Sequence, residues 1–152
     1  MRLKDKVVII TGSTTGIGKA IAIRCVAEGA KVVINGRNKE AGEAVVKELG
    51  ESNAVLSIVD ISLEDAPQHL IDAALKAFGK LDSIVNNAAM IVSSDIHSTD
   101  SAFLRQVLEV NTVFPFALTK AALPHLRKTH GCVLNIGSVN AYSFLTVFQK
   151  AQ

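Results

Sequence analysis

The run Gly12-Ser13-Thr14-Thr15-Gly16-Ile17-Gly18 follows the apolar stretch Val7-Val8-Ile9-Ile10, and it is the segment best suited to bind a phosphate. The order reads as a short buried strand, a glycine-rich turn and a helix. Glycines give the turn positive φ values and let backbone approach a ligand closely. The first turn of the helix offers unpaired N–H groups and the positive end of its dipole. A plain tight turn also fits such a loop in isolation, so the rest of the chain must decide. Other polar groups are spaced along it: Arg37, Asp60, Asn86-Asn87, Asn111 and Ser138.

These groups need a scaffold. Short β-branched runs at Val7–Ile10, Lys31–Ile34, Ala54–Val59, Ser83–Val85 and Cys132–Ile136 alternate with helical patterns. The helices show apolar residues at three- and four-residue spacing. Their stripes are Ile17, Ile21 and Cys25; Ala41, Val45 and Leu49; Leu70, Ala74 and Phe78. A last helix is predicted over about Phe103–Lys128, with Val110, Val113, Phe114, Ala117 and Ala121 on one face. Asn38 is a good N-cap, Ser62-Leu63-Glu64-Asp65 resembles a capping box, and Gly29, Gly50, Gly79 and Gly131 sit where helices should stop. Strand–helix alternation implies an α/β fold, a doubly wound parallel sheet of five strands joined by right-handed crossovers. In such sheets ligands bind beyond the carboxyl ends of the strands. The five strand ends lead into Gly12–Gly18, Asn35-Gly36-Arg37, Asp60, Asn86-Asn87-Ala88-Ala89 and Gly137-Ser138. All five carry small or hydrogen-bonding residues.

Composition narrows the function classes. The chain has 152 residues, 49% of them hydrophobic and 20% charged, which is ordinary for one globular domain. A net charge of +2 does not point to nucleic acid or an anionic membrane. No apolar run is long enough to span a bilayer, and Val7–Ile10 is too short for a signal-peptide core. A soluble cytoplasmic protein is expected. Cys25 and Cys132 are expected to be buried small hydrophobes, and the four histidines show no metal-ligand spacing.

Taken in order, Thr11–Gly18, Asp60, Asn86-Asn87-Ala88-Ala89, Asn111 and Ile136-Gly137-Ser138 resemble the short-chain dehydrogenase/reductase family, from about Lys6 to Ser143. The resemblance implies a Rossmann-type fold and hydride transfer between NAD(P) and a small-molecule carbonyl or alcohol. It implies that Gly12, Ser13, Thr15, Gly16, Ile17 and Gly18 form the cofactor turn, with the Ile17 N–H facing the pyrophosphate. Asp60 would hydrogen-bond the adenine amino group, with Ile61 beside the ring; the alternative for Asp60 is a helix cap. Asn86 and Ala88 would lie beside the adenosine ribose, whereas Asn87 and Ala89 are weaker candidates that could simply form the turn. Asn111 would accompany a helix distortion and hold a water in a proton relay, and Ser138 would hydrogen-bond the substrate carbonyl. The family is usually homo-oligomeric.

NAD-specific members place an acidic residue after the second strand. Here that position holds Gly36, followed by Arg37. No carboxylate stands there to repel a 2′-phosphate, and a guanidinium can pair with one in bidentate fashion. NADP is therefore expected over NAD, unless Arg37 is merely a solvated residue at a helix start. Asn35 and Asn38 could add polar contacts.

The resemblance stops before the family's Tyr-x-x-x-Lys. Tyr142 has Thr146 four residues on, and Lys150 has Thr146 four residues before it. The expectation is an incomplete Rossmann-type domain over 1–143 with a divergent tail over 144–152, lacking the C-terminal part of the fold. A fifth strand with an exposed apolar edge would follow. Two functions compete: the cofactor-binding half of an NADP-dependent oxidoreductase, and a catalytically inactive truncated form that binds nucleotide or a full-length homologue. A nucleotide domain of an unrelated dehydrogenase is disfavoured by Asn86-Asn87 and Ser138.

Overall fold

The computed structural model describes residues 1–91 and 97–138. The elements are β1 (Val7–Ile10), α1 (Gly16–Ala27), β2 (Lys31–Gly36), α2 (Lys39–Leu49), β3 (Ala54–Ile58), α3 (Ala66–Phe78), β4 (Ser83–Asn86), α4 (Ser101–Leu108), α5 (Phe114–Thr129) and β5 (Cys132–Asn135). The order in the sheet is β3-β2-β1-β4-β5, and every pairing is parallel. The strand order therefore reverses between β1 and β4, and at such a switch point a crevice opens beyond the strand ends.

The two-residue repeat of a strand explains why helices cover both faces. Val7 and Ile9 point into a core with Leu70, Ile71 and Ala74 of α3 and Phe114, Leu118, Ala122 and Leu126 of α5. Val8 and Ile10 point the other way, into a core with Ala22 of α1 and Val45 and Leu49 of α2. All four β1 residues are buried. At the opposite end of the sheet, buried Asp82 accepts from the Val7 N–H at 2.9 Å and pairs with Lys6 and Lys80, each at 3.0 Å. Burial pushes its carboxyl up, but these three donors hold it below the usual range.

Several local expectations are revised. The buried stripe of α1 is centred on Gly18 and Ala22, and Ile17 is exposed. The last helical region is not one regular helix. A π-helical segment, Glu109–Val113, joins α4 to α5 and moves the buried face to Phe114, Leu118, Ala122 and Leu126. Ser62–Asp65 is not a capping box, because the Ser62 N–H and hydroxyl both donate to Asp60 and the Asp65 side chain caps nothing. Asn38 does cap α2, accepting from the Ala41 N–H at 2.9 Å. Cys25 is half-buried, whereas Cys132 is exposed on β5, at the sheet edge. Leu134 of β5 is also exposed, the apolar edge expected for this strand. No described helix is long and apolar enough to cross a membrane.

Candidate nucleotide site

The loop after β1 is built by hydrogen bonds that consume most of its polar groups. The Thr11 hydroxyl donates toward the Val85 carbonyl at 3.4 Å and accepts from the Asn87 and Ala88 N–H groups, both at 3.0 Å. The Asn87 amide donates to the Thr11 and Gly12 carbonyls at 2.9 and 3.2 Å. Asn87 thus bolts the end of β4 to the end of β1 across the switch point. Ser13 is fully buried; its hydroxyl donates to the Ile10 carbonyl at 2.6 Å and accepts from the Asn35 N–H at 3.0 Å. Its side chain holds the loop and is closed to a ligand.

Asn35 could add polar contacts to a ligand, but the structure uses its side chain as framework. Its side chain is buried and accepts from the Gly12 N–H at 3.3 Å while donating to the Ser57 and Val59 carbonyls at 3.3 and 3.1 Å. The exposed Asn38 uses its side-chain oxygen in its cap. Sequence reasoning gave little weight to Thr11, Asn87 and Asn35 as framework. Short polar residues at the ends of buried strands are a signal for that role, because exposed backbone groups there need partners.

What remains open is backbone. Gly12 and Gly16 have φ of +62° and +55°, the left-handed region that suits glycine. A Cβ on Gly16 would meet no protein atom within 4 Å, so the space above it is clear. A Cβ on Gly18 would collide with the Gly12 carbonyl oxygen and come within 2.6 Å of the Asn87 amide nitrogen. Ala88 closes the far side, its Cα 3.0 Å from a Cβ built on Gly12. Thr15 is the N-cap of α1, yet its side chain caps no first-turn N–H, and Ile17 is exposed beside it. Uncapped N–H groups at a helix start form an anion site. The turn therefore fits a pyrophosphate, which would lie over Gly16 and against the start of α1.

The ends of β2 and β3 place Arg37 near Asp60, guanidinium to carboxylate at 3.8 Å. Arg37 is 81% exposed. The Asp60 carboxyl lies below the usual range, first because the Ser62 N–H and hydroxyl donate to it and further because of Arg37. Ile61 is half-buried against the core beside it. Asn86 is buried at the end of β4; its amide donates to the Asn135 side chain at 2.8 Å, and its own oxygen is without a partner among the described residues.

Asn111 lies in the π-helical segment, and its side chain accepts from the Met90 N–H at 2.7 Å and donates to the Met90 carbonyl at 2.9 Å. Ser138 is exposed, three residues beyond β5. The topology thus brings the loop, Arg37, Asp60, Asn86, Ala88, Asn111 and Ser138 to one end of the sheet. Tyr142, Thr146, Lys150 and the tail 144–152 lie outside the described residues. Among the described residues no cluster of three His, Cys, Asp or Glu could hold a metal ion.

The chain matches the short chain dehydrogenase family over residues 6–149. It is 40% identical over 139 residues to an L-fucose dehydrogenase of Bos taurus, covering 91% of this chain and 51% of that one. It is 36% identical over 144 residues to an NADP-dependent (R)-specific alcohol dehydrogenase of Lentilactobacillus kefiri, covering 93% and 57%. A Caenorhabditis elegans short-chain dehydrogenase/reductase of unknown function, solved with cofactor, superposes with a TM-score of 0.86 at 33% identity, over 93% of this chain and 55% of that one. The chain spans about half the length of the curated relatives it matches. With its switch-point loop, uncapped helix start and parallel sheet, the chain belongs to the short-chain dehydrogenase/reductase family.

Proposed function

We propose that the chain is the cofactor-binding half of an oxidoreductase that acts on a carbonyl or alcohol group and prefers NADP to NAD. The observation that carries the preference is the exposed guanidinium of Arg37 directly after side-chain-less Gly36 at the end of β2. A 2′-phosphate there would meet a cation and no carboxylate on residue 36, the Asp60 carboxylate being paired with that cation at 3.8 Å. The NADP dependence named for the Lentilactobacillus kefiri relative supports this reading.

When bound, a nicotinamide dinucleotide supplies a transferable hydride. The chain's residues bind and orient. Gly12, Gly16 and Gly18 keep the backbone low enough for a pyrophosphate, with the Ile17 N–H among its donors. Asp60, held ionised by Ser62, accepts from an adenine amino group next to Ile61. Asn86 and Ala88 back the adenosine ribose. Asn111 holds the π-helical segment against Met90, and Ser138 donates to a substrate carbonyl.

A second reading, an inactive nucleotide-binding form, rests on the sequence of the proton donor. Tyr142 lies only four residues past Ser138, with Thr146 four residues beyond it, and Lys150 has Thr146 four residues before it, so neither takes the place of the family's Tyr-x-x-x-Lys. A positioned acid contributes roughly 10²–10⁴-fold. We infer that the 152-residue chain binds NADPH with little turnover of its own. Purified protein assayed with NADPH and a panel of ketones and aldehydes is expected to bind the nucleotide without oxidising it. Robust turnover, lost on Tyr142→Phe or Lys150→Ala, would show a replacement acid in the tail.

A further inference from the structure

We propose that the hollow between the C-terminal ends of α3 and α5 is a second ligand site, for a small phosphate monoester with an apolar body. It lies at the end of the sheet opposite the nucleotide turn and does not depend on the nucleotide reading. Leu75, Gly79, Lys80, His125, Lys128 and Thr129 line a volume of about 350 Å³, within the range of small-molecule sites. The Thr129 hydroxyl donates to the Leu81 carbonyl at 2.8 Å and so ties the end of α5 to the loop before β4. Gly79 ends α3 with a φ of +76°, and a Cβ built on it would meet no protein atom within 4 Å. The backbone there is therefore open to a ligand, and half-buried Leu75 supplies an apolar wall.

Three nitrogen groups line the hollow. The Lys80 ammonium pairs with Asp82 at 3.0 Å, and with three N–H groups it keeps donors to spare. The Asp82 carboxylate is buried and shared with Lys6, so two ammonium groups surround one carboxylate and leave a positive charge in excess. The half-buried His125 ring and the exposed Lys128 ammonium have no side-chain partner among the described residues. Lysines bind phosphate as point charges, and the three terminal oxygens of a monoester match three donors where a carboxylate has only two oxygens. The wider charge pattern favours the same ligand. Because the strands are all parallel, α1, α2, α3 and α5 end together here, and their last turns carry Arg24, Lys47, Lys76, Arg127 and Lys128. Such cations also complement helix dipoles, but a dipole match calls for no hollow between them.

Titration of the chain with phenyl phosphate, followed by amide chemical shifts, tests this because the two ends of the sheet report separately. The amides of Gly79, Lys80 and Thr129 are expected to shift and saturate, whatever the Gly12–Gly18 amides do. The double variant His125→Gln/Lys128→Gln should weaken the affinity read at these amides at least about fivefold, the loss expected for donors to a charged group. Lys47→Gln removes an equal charge on the other face of the sheet and should leave that affinity unchanged. Benzoate, with the same ring and one oxygen fewer, should bind at least about threefold more weakly. Shifts confined to Gly12–Gly18, an affinity unchanged in the double variant, or an equal loss in Lys47→Gln would overturn the site. Benzoate binding as tightly as phenyl phosphate would overturn its assignment to a phosphate.

Discussion

Asn111 grips the backbone of Met90 from both sides, taking its N–H at 2.7 Å and giving its own amide hydrogen to the carbonyl at 2.9 Å. The pair ties the π-helical segment to the stretch that leaves β4. π-helical turns are rare and frequent at functional sites. Asn111→Ala removes both bonds at once. Because Asn111 is exposed and Met90 only half-buried, the stability cost should be only ~1 kcal/mol, but hydrogen exchange at the Met90 amide should accelerate markedly. Unchanged exchange would show that the segment is held by other contacts.

Gly16 and Gly18 should fail for different reasons. Gly16→Ala adds a methyl that touches no protein atom, so the cost is the left-handed backbone, ~1–2 kcal/mol, with nucleotide affinity lost from a folded chain. Gly18→Ala drives its methyl into the Gly12 carbonyl and the Asn87 amide, and should cost ~1–3 kcal/mol or more by overpacking. Thermal melts beside nucleotide titrations separate the two. A Gly16→Ala chain that is folded and binds normally would place the pyrophosphate elsewhere.

Glu28 should give the fold an acid limb. The Arg2 N–H donates to its carboxylate at 3.0 Å, and this bond, with the Arg2 and Arg24 guanidinium groups, depresses it to about 2 from an ordinary 4.5. A carboxyl depressed in the folded state contributes stability that is complete above about pH 4.5 and is lost as pH falls toward 2. Glu28→Gln should flatten melting temperature against pH in that window and change little at lower pH. A wild-type profile already flat there would show that the cluster does not persist in solution.

The frame was legible in the chain because its signals are local. Val7–Ile10 is apolar at every position, as a strand buried on both faces must be, and each strand end carries the small or polar residues a crevice needs. The π-helical segment was legible only through the oddity of Asn111 in an apolar helix. Phe114 is buried as its place in the stripe required, but beyond it the fully buried positions are Leu118 and Ala122, with Ala121 partly buried against the same core. In the α1 stripe Ile21 and Cys25 do pack against the core and only Ile17 does not, for another reason. The helix packs so close to the sheet that its buried face is Gly18 and Ala22, and a hydrophobic pattern cannot see glycine. The Ser62 pattern misled because Asp60 takes both Ser62 donors, and Cys132 was read as buried because strand membership alone does not reveal a sheet edge. The tertiary use of Asn35 depends on neighbours twenty or more residues away, which no local pattern encodes.

The measurement that bears most directly on a nucleotide site selected by Arg37 is calorimetric titration of the chain and of Arg37→Ala with NADPH and with NADH. A charge-assisted phosphate contact of ~1.5–3 kcal/mol predicts NADPH binding at least about tenfold tighter than NADH, with Arg37→Ala losing that margin and keeping its NADH affinity. Equal affinities in the unaltered chain, or an Arg37→Ala chain that retains the NADPH preference, would contradict it.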